Sequence, residues 1–408
     1  MSERVLVERS NSPAPGSVMT RREPTASDVR WDVSLIGFGL PSDPRTFSGY
    51  AFNLMRGLSA EGHLRREFSA KNMRVSDAFG AALRLDRLLP RPKLSISRRW
   101  MWSVRGSRIL SERLNAQIEA SGDRGAFLEV GTLVKVDPRF GPHYQLTDMT
   151  IAQARRAGHF AIGRLSPKEM DEAERVQHDI IASAKHLFVL SDWTAESVAR
   201  DCGVPRERIT VVFAGSNLVV PADLVGRVKR LANQILFVGF DWKRKGGPLL
   251  LEAFATVRKA IPDATLRVVG CDPFAESAPV EGVIVEGKLD RRDPAQYERL
   301  CRCYLESSCF CLPSEFDPFP NAIIEAMGVG VPAVAFDNGS RREAIQHGEC
   351  GLLAASGNVQ DLATQLIAIL SDPVRAAAMG KAAEERVQRE FTWRRVVERI
   401  GTVVHAAT

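Results

Sequence analysis

Nowhere in the 408 residues is there an apolar run close to the roughly 18 that a membrane-spanning helix needs. The opening segment, Met1 to Asp28, is polar and carries Glu3, Glu8 and Glu23. It lacks the apolar core of a secretory leader, so a cytoplasmic protein is expected. Cysteine is sparse: there are seven, an odd number. Four form two C-x-C pairs, Cys301 with Cys303 and Cys309 with Cys311, tighter than the spacing zinc sites favour. Buried free thiols are expected there, and no metal. A dinucleotide fingerprint is also missing, because Gly37-x-Gly39 is followed by Pro41 and Ser42 where a third small residue is required. No nucleic-acid recognition motif and no pyridoxal-binding motif occurs, so nucleic acid is not an expected partner. Charge is nearly balanced, 55 basic against 49 acidic residues, and the net +6 permits an anionic partner without requiring one.

What is present centres on one stretch, Ser314-Glu-Phe-Asp-Pro-Phe-Pro-Asn-Ala-Ile-Ile-Glu-Ala-Met327. The small and apolar run Ser308-Cys-Phe-Cys-Leu-Pro313 before it reads as a buried strand. Asn321 reads as the cap of a helix that starts at Ala322 and ends near Gly328 and Gly330. Pro318 and Pro320 stiffen the loop between them. A helix start, with its unsatisfied N–H groups, thus stands at the end of a parallel strand, where open α/β sheets bind anionic ligands. Asp317 in the loop and Glu325 one turn into the helix add two carboxylates, suited to sugar hydroxyls beside a phosphate. The plainer alternative is an Asx-turn at Asp317 and a solvent-facing Glu325.

Along the chain, Val33-Ser-Leu-Ile-Gly37 is a first strand, followed by a glycine-containing loop and a helix from about residue 50. Residues 84–113 are the most basic part, with Trp100, Met101 and Trp102 among the arginines. One reading is a peripheral contact with the inner face of a membrane. The favoured reading is a solvated helix with a buried aromatic stripe. Ala126-Phe-Leu-Glu-Val130, His143 to Asp148 and His186-Leu-Phe-Val-Leu190 are further strands. Asp148 then lies at a strand end, either facing the ligand or capping a helix from Met149. A second series of strands begins at Gln234 and includes Thr265–Gly270, Val283–Gly287, Ser308–Leu312 and Pro332–Phe336, with helical segments between. The alternation predicts two doubly wound parallel sheets. The expected divisions are a disordered tail 1–30, a first domain 31–220, a second domain 221–390 and a final helix 391–408.

Asp317 and Glu325 together resemble the acid-x7-Glu signature of retaining GT-B glycosyltransferases, specifically the large family 4, also called group 1. The order Ser191-Asp-Trp, Gly203-Val-Pro, Gly215-Ser-Asn217 resembles the end of that family's first domain. The resemblance covers about residues 31–400 and implies an α/β GT-B fold, two Rossmann-like domains facing across a cleft, with 31–220 binding the acceptor, 221–390 the nucleotide sugar, and the final helix 391–408 crossing back to the first domain. It implies a hexosyl transfer from a nucleotide-diphospho-sugar to a glycan, a lipid-linked acceptor or another hydroxyl, with no cofactor and no metal. Consistently, no Asp-x-Asp occurs. By resemblance Lys245 matches the diphosphate lysine, and Arg244 stands in for an arginine that the family has earlier, where Phe240 follows Gly239 here. Asp317, one methylene shorter than the usual glutamate, would reach the donor sugar, and Glu325 would hold the ribose. Phe319, Pro320, Asn321, Gly270 and Gly287 complete the implied donor site. Ser48 and Gly49 form the loop toward phosphate and acceptor, and Asp148 lies on the acceptor side. The alternatives are another GT-B enzyme, such as an epimerase, or a protein that binds a nucleotide sugar or glycan without turnover.

Overall fold

The computed structural model describes residues 31–44, 46–71, 96–158, 165–274 and 278–406. The expected tail 1–30 and residues 72–95, which include 84–95 of the basic stretch, lie outside the described residues. Within them the chain forms two six-stranded sheets whose pairings are all parallel.

The first sheet contains β1 (Val33–Gly37), β2 (Leu64–Ser69), β3 (Ala126–Val130), β4 (His143–Thr147), β5 (His186–Val189) and β6 (Ile209–Val211), in the order β2-β1-β3-β4-β5-β6. The second contains β7 (Gln234–Val238), β8 (Thr265–Val269), β9 (Val283–Gly287), β10 (Cys309–Leu312), β11 (Ala333–Phe336) and β12 (Gly351–Ala354), in the order β12-β11-β10-β7-β8-β9. Strands β1, β3, β4, β10 and β11 are buried along their whole length, because helices cover both faces. That is why these segments read as apolar runs rather than as alternating ones. In each sheet the chain reverses its direction of winding once, between β1 and β3 in the first and between β7 and β10 in the second. A crevice opens at the carboxyl ends of the strands at each such reversal.

The chain's last part is two helices rather than one. Pro373–Glu390 belongs to the second domain, and Trp393–His405 begins afresh after Phe391, capped by Thr392. This final helix lies on Tyr50–Ala60 of the first domain. A side chain at Gly57 would meet Val397, and one at Gly401 would run into Trp31. The Trp393 indole donates to the Ser216 carbonyl (3.0 Å) and stands edge-on to Tyr50.

In the described part of the basic stretch, the helices Ile96–Met101 and Val104–Ser121 put Trp100, Met101 and Trp102 partly buried against the cluster of Leu110, Leu114 and Phe127. The aromatic stripe therefore packs inward, as in the favoured reading. Among the described residues no helix is long and apolar enough to cross a membrane.

Candidate functional site

The reversal in the second sheet sets the loops after β7 and β10 side by side, and the cationic and acidic candidates sit on these two loops. Gly246 adopts a left-handed conformation (φ +79°), and its α-carbon is pressed so closely to the Pro313 carbonyl that any β-carbon would overlap it. That contact delivers Lys245 to Asp317, which is only 6% exposed, and the Lys245 ammonium is hydrogen-bonded to its carboxylate. The Arg244 guanidinium lies 4.0 Å from the same carboxylate. A third cation comes from Arg341, whose side chain is fully buried. It donates to the Ser314 carbonyl (2.8 Å), the Ser314 hydroxyl (2.5 Å) and the Asp317 carbonyl (3.3 Å).

The electrostatics follow from three cations around one carboxylate. Burial alone would raise the proton affinity of Asp317, but Lys245 and Arg341 outweigh it and hold the pKa below the usual carboxylate value. Burial lowers the pKa of Lys245, with Asp317 opposing, and brings Arg341 down to about 10. The cluster carries more positive than negative charge in a site largely withdrawn from water. That is an arrangement for a polyanion.

Glu325 is 3% exposed, on the helix Asn321–Met327. Both of its oxygens accept from Arg291 (2.9 and 2.8 Å), and one also accepts from the Tyr304 hydroxyl (2.8 Å). The Glu325 charge raises the pKa of Arg291, and burial raises that of Tyr304 well above its ordinary value. A solvent-facing Glu325 is thus ruled out.

One expectation about the loop is corrected. Asn321 does not cap the helix, which begins at Asn321 itself. Pro320 is the capping position, and the Asn321 N–H is already bonded to the Phe319 carbonyl (3.0 Å). The Asn321 Oδ1 is buried with no hydrogen-bond partner among the described residues. The Phe319 ring is buried, with Phe213 and Phe391 each at 6.3 Å between centroids. Gly270 (φ +99°) closes β8 against the Gly239 carbonyl, 2.7 Å from where a β-carbon would lie. Gly287 (φ +70°) ends β9 with open space around it. Phe240, at the position where the family has its arginine, is 76% exposed.

On the facing domain, Gly49 (φ +83°) precedes the helix Tyr50–Ala60, and its carbonyl accepts from Asn53 (2.9 Å). Ser48 belongs to the preceding 3-10 turn, Thr46–Gly49, and its side chain lies outside what is described. Asp148 follows β4 but caps no helix. Thr150 does so, with Gln153 completing a capping box for Ile151–Arg156. Burial, helped by the charge on Asp317, pushes the Asp148 pKa up to about 7. The acids of the two domains therefore sense one another across the cleft. Nearby, Trp193 stands edge-on to Phe316, 5.7 Å between centroids.

Residues 227–386 match the family described as glycosyl transferases, group 1. The chain carries a group 1 glycosyltransferase domain. A D-inositol 3-phosphate glycosyltransferase of Rhodococcus jostii is 27% identical over 233 residues, which cover 53% of this chain and 51% of that one. The chain thus spans about half the length of that curated relative. The structure of sucrose-phosphate synthase from Thermosynechococcus elongatus covers 93% of this chain and 100% of its own at a TM-score of 0.66 and 20% identity. Anabaena HepE, solved with UDP and glucose, covers 92% of this chain and 100% of its own at 0.61 and 14% identity. These likenesses run through both sheets, and the fold is GT-B.

Within the group 1 glycosyltransferase domain, the sequence reading missed Arg341 and Arg291. The first follows directly on the Asn338-Gly-Ser340 loop, and the second sits ten residues before Cys301. Neither has a local signal, since each finds its partner about thirty residues away along the chain. The four clustered cysteines are buried free thiols, and no group of metal-ligating residues occurs among the described residues.

Proposed function

We propose that the protein transfers a hexosyl unit from a nucleotide-diphospho-sugar to a hydroxyl of a glycan or lipid-linked acceptor, without a metal ion and with retention at the anomeric carbon. The observation that carries this reading is the surplus of cations around Asp317 at the reversal of the second sheet. As the bond from the anomeric carbon to the diphosphate breaks, the leaving group takes the bonding pair, and one more negative charge joins those already on its phosphates. Lys245 and Arg244 neutralise them from a site that needs no reorganisation. The acceptor oxygen forms the new bond on the same face, and its proton passes to the leaving phosphate. No side chain is therefore assigned as base. Asp317 orients the sugar hydroxyls. Glu325, its remaining lone pairs aimed by Arg291 and Tyr304, takes the ribose hydroxyls. Gly49 and Asp148 stand on the acceptor side. A cytoplasmic setting fits this reading.

The test is thermal shift with UDP-, GDP- and ADP-sugars in the presence of EDTA, followed by turnover of the donor that binds. A shift that grows with ligand concentration is expected from one of the three. Lys245→Ala is expected to cut turnover about a hundredfold or more. Absence of any shift, or a shift that returns only with a divalent cation, overturns the proposal.

A further inference from the structure

The four-residue helix Arg341–Ala344 touches both halves of the molecule. Its own domain anchors it firmly. Arg386, on the helix Pro373–Glu390, donates to the carbonyls of Glu343 (2.7 Å) and Ala344 (3.0 Å). Its leading edge grips the loop that carries Asp317. The Ser340 hydroxyl donates to the Pro318 carbonyl (2.8 Å), while Arg341 holds the Ser314 and Asp317 carbonyls. Its third residue reaches the other domain. The Glu343 carboxylate accepts the backbone N–H groups of Asp192 (2.6 Å) and Trp193 (2.9 Å), the first two residues of the helix Asp192–Cys202. Those groups have no partner within their own helix, and the positive end of the helix dipole adds to the attraction. Beside this bridge, the Trp193 ring meets Phe316, the neighbour of Asp317 in sequence.

One rigid piece therefore joins the closure of the cleft to the placement of Asp317. We infer that Glu343 is a positioning residue, a latch that holds the first domain down on the second and sets the Asp317 loop in its reactive place. The inference rests on the proposed transfer reaction for its kinetic consequence, but not for its structural one. Lys245, Arg244 and Glu325, which carry the proposed nucleotide-diphosphate contacts, make no bond to Glu343, so loss of Glu343 separates donor binding from turnover.

The test uses the full chain and its Glu343→Ala and Glu343→Gln variants. Small-angle scattering without donor is expected to show a larger radius of gyration for Glu343→Ala than for wild type. Glu343→Gln, which keeps an acceptor oxygen, lies between them. With the donor, Glu343→Ala is expected to lower kcat about tenfold or more while donor affinity changes by less than about threefold. Glu343→Gln recovers part of the loss. Scattering curves for Glu343→Ala and wild type that superimpose overturn the latch, as does an unchanged kcat in a chain that turns over. If wild type turns over no donor, the transfer reading fails, and the scattering comparison still decides the latch on its own.

Discussion

Asparagine at position 148 keeps the shape of the aspartate and the acceptor oxygen that the backbone N–H groups of residues 148 and 149 use, but it cannot ionise. In the folded protein the Asp148 carboxyl titrates near 7, raised first by burial and then by the charge on Asp317; its ordinary value is 3.8. A carboxyl whose folded pKa lies above its unfolded one favours the fold while protonated. That contribution is complete below pH 3.8 and is lost as pH rises through the folded value. The gap of about three pH units sets an upper limit of about 4 kcal/mol. Roughly 2–3 kcal/mol of that falls between pH 5 and pH 8. Asp148→Asn escapes the loss. Its stability relative to wild type is therefore expected to rise steadily with pH. The Tm difference should widen by about 5 °C over the same interval if the first domain unfolds as a unit. Parallel urea or thermal melts of the two proteins at several pH values are the assay. A difference that stays flat with pH would refute the burial and the cross-cleft repulsion together.

Other substitutions test the site's framework. Gly246→Ala forces a left-handed backbone on a side chain that also overlaps the Pro313 carbonyl, so a loss of about 3 kcal/mol or more is expected in denaturant melts. A loss under about 1 kcal/mol would mean that the two loops are not pressed together. Arg291→Ala leaves the buried Glu325 carboxylate with Tyr304 alone. Because Arg291 is itself 40% exposed, the expected cost is about 1–3 kcal/mol. Adding Glu325→Gln should then recover stability, and simple additivity in that double-mutant cycle would show that the pair does not interact.

The parts of the site that the sequence made legible are those coded within a dozen residues. The strand, loop and helix around Asp317 could be placed because apolar run, prolines and helical spacing follow one another directly. Lys245 could be singled out only by its resemblance to the family's diphosphate lysine, because the basic glycine loop after the strand offers three cations in a row. That Lys245 and Asp317 touch, 72 positions apart, could be expected only from the winding of the sheet. Arg341, Arg291 and Glu343 were not legible. Each is an ordinary charged residue in a chain with 104 of them (55 basic and 49 acidic), and its meaning comes from a distant partner. The error at Asn321 has a local cause. Asparagine favours the capping position, but here the turn tightens at Pro320 and the helix begins one residue earlier. That the Phe319 ring turns inward was not legible, because proximity along the chain to two acids says nothing about which side of the loop a ring takes.

The final helix, Trp393–His405, has a consequence for anyone who would exchange the halves of this enzyme. Although it follows the second domain in sequence, it packs on Tyr50–Ala60 and Trp31 of the first. A chimera that grafts a foreign first domain onto residues 234–390 therefore needs the graft to supply both ends of the polypeptide. A splice at a single junction would pair this helix with a surface that never evolved to receive it, and leave Gly401 notched for a Trp31 no longer there.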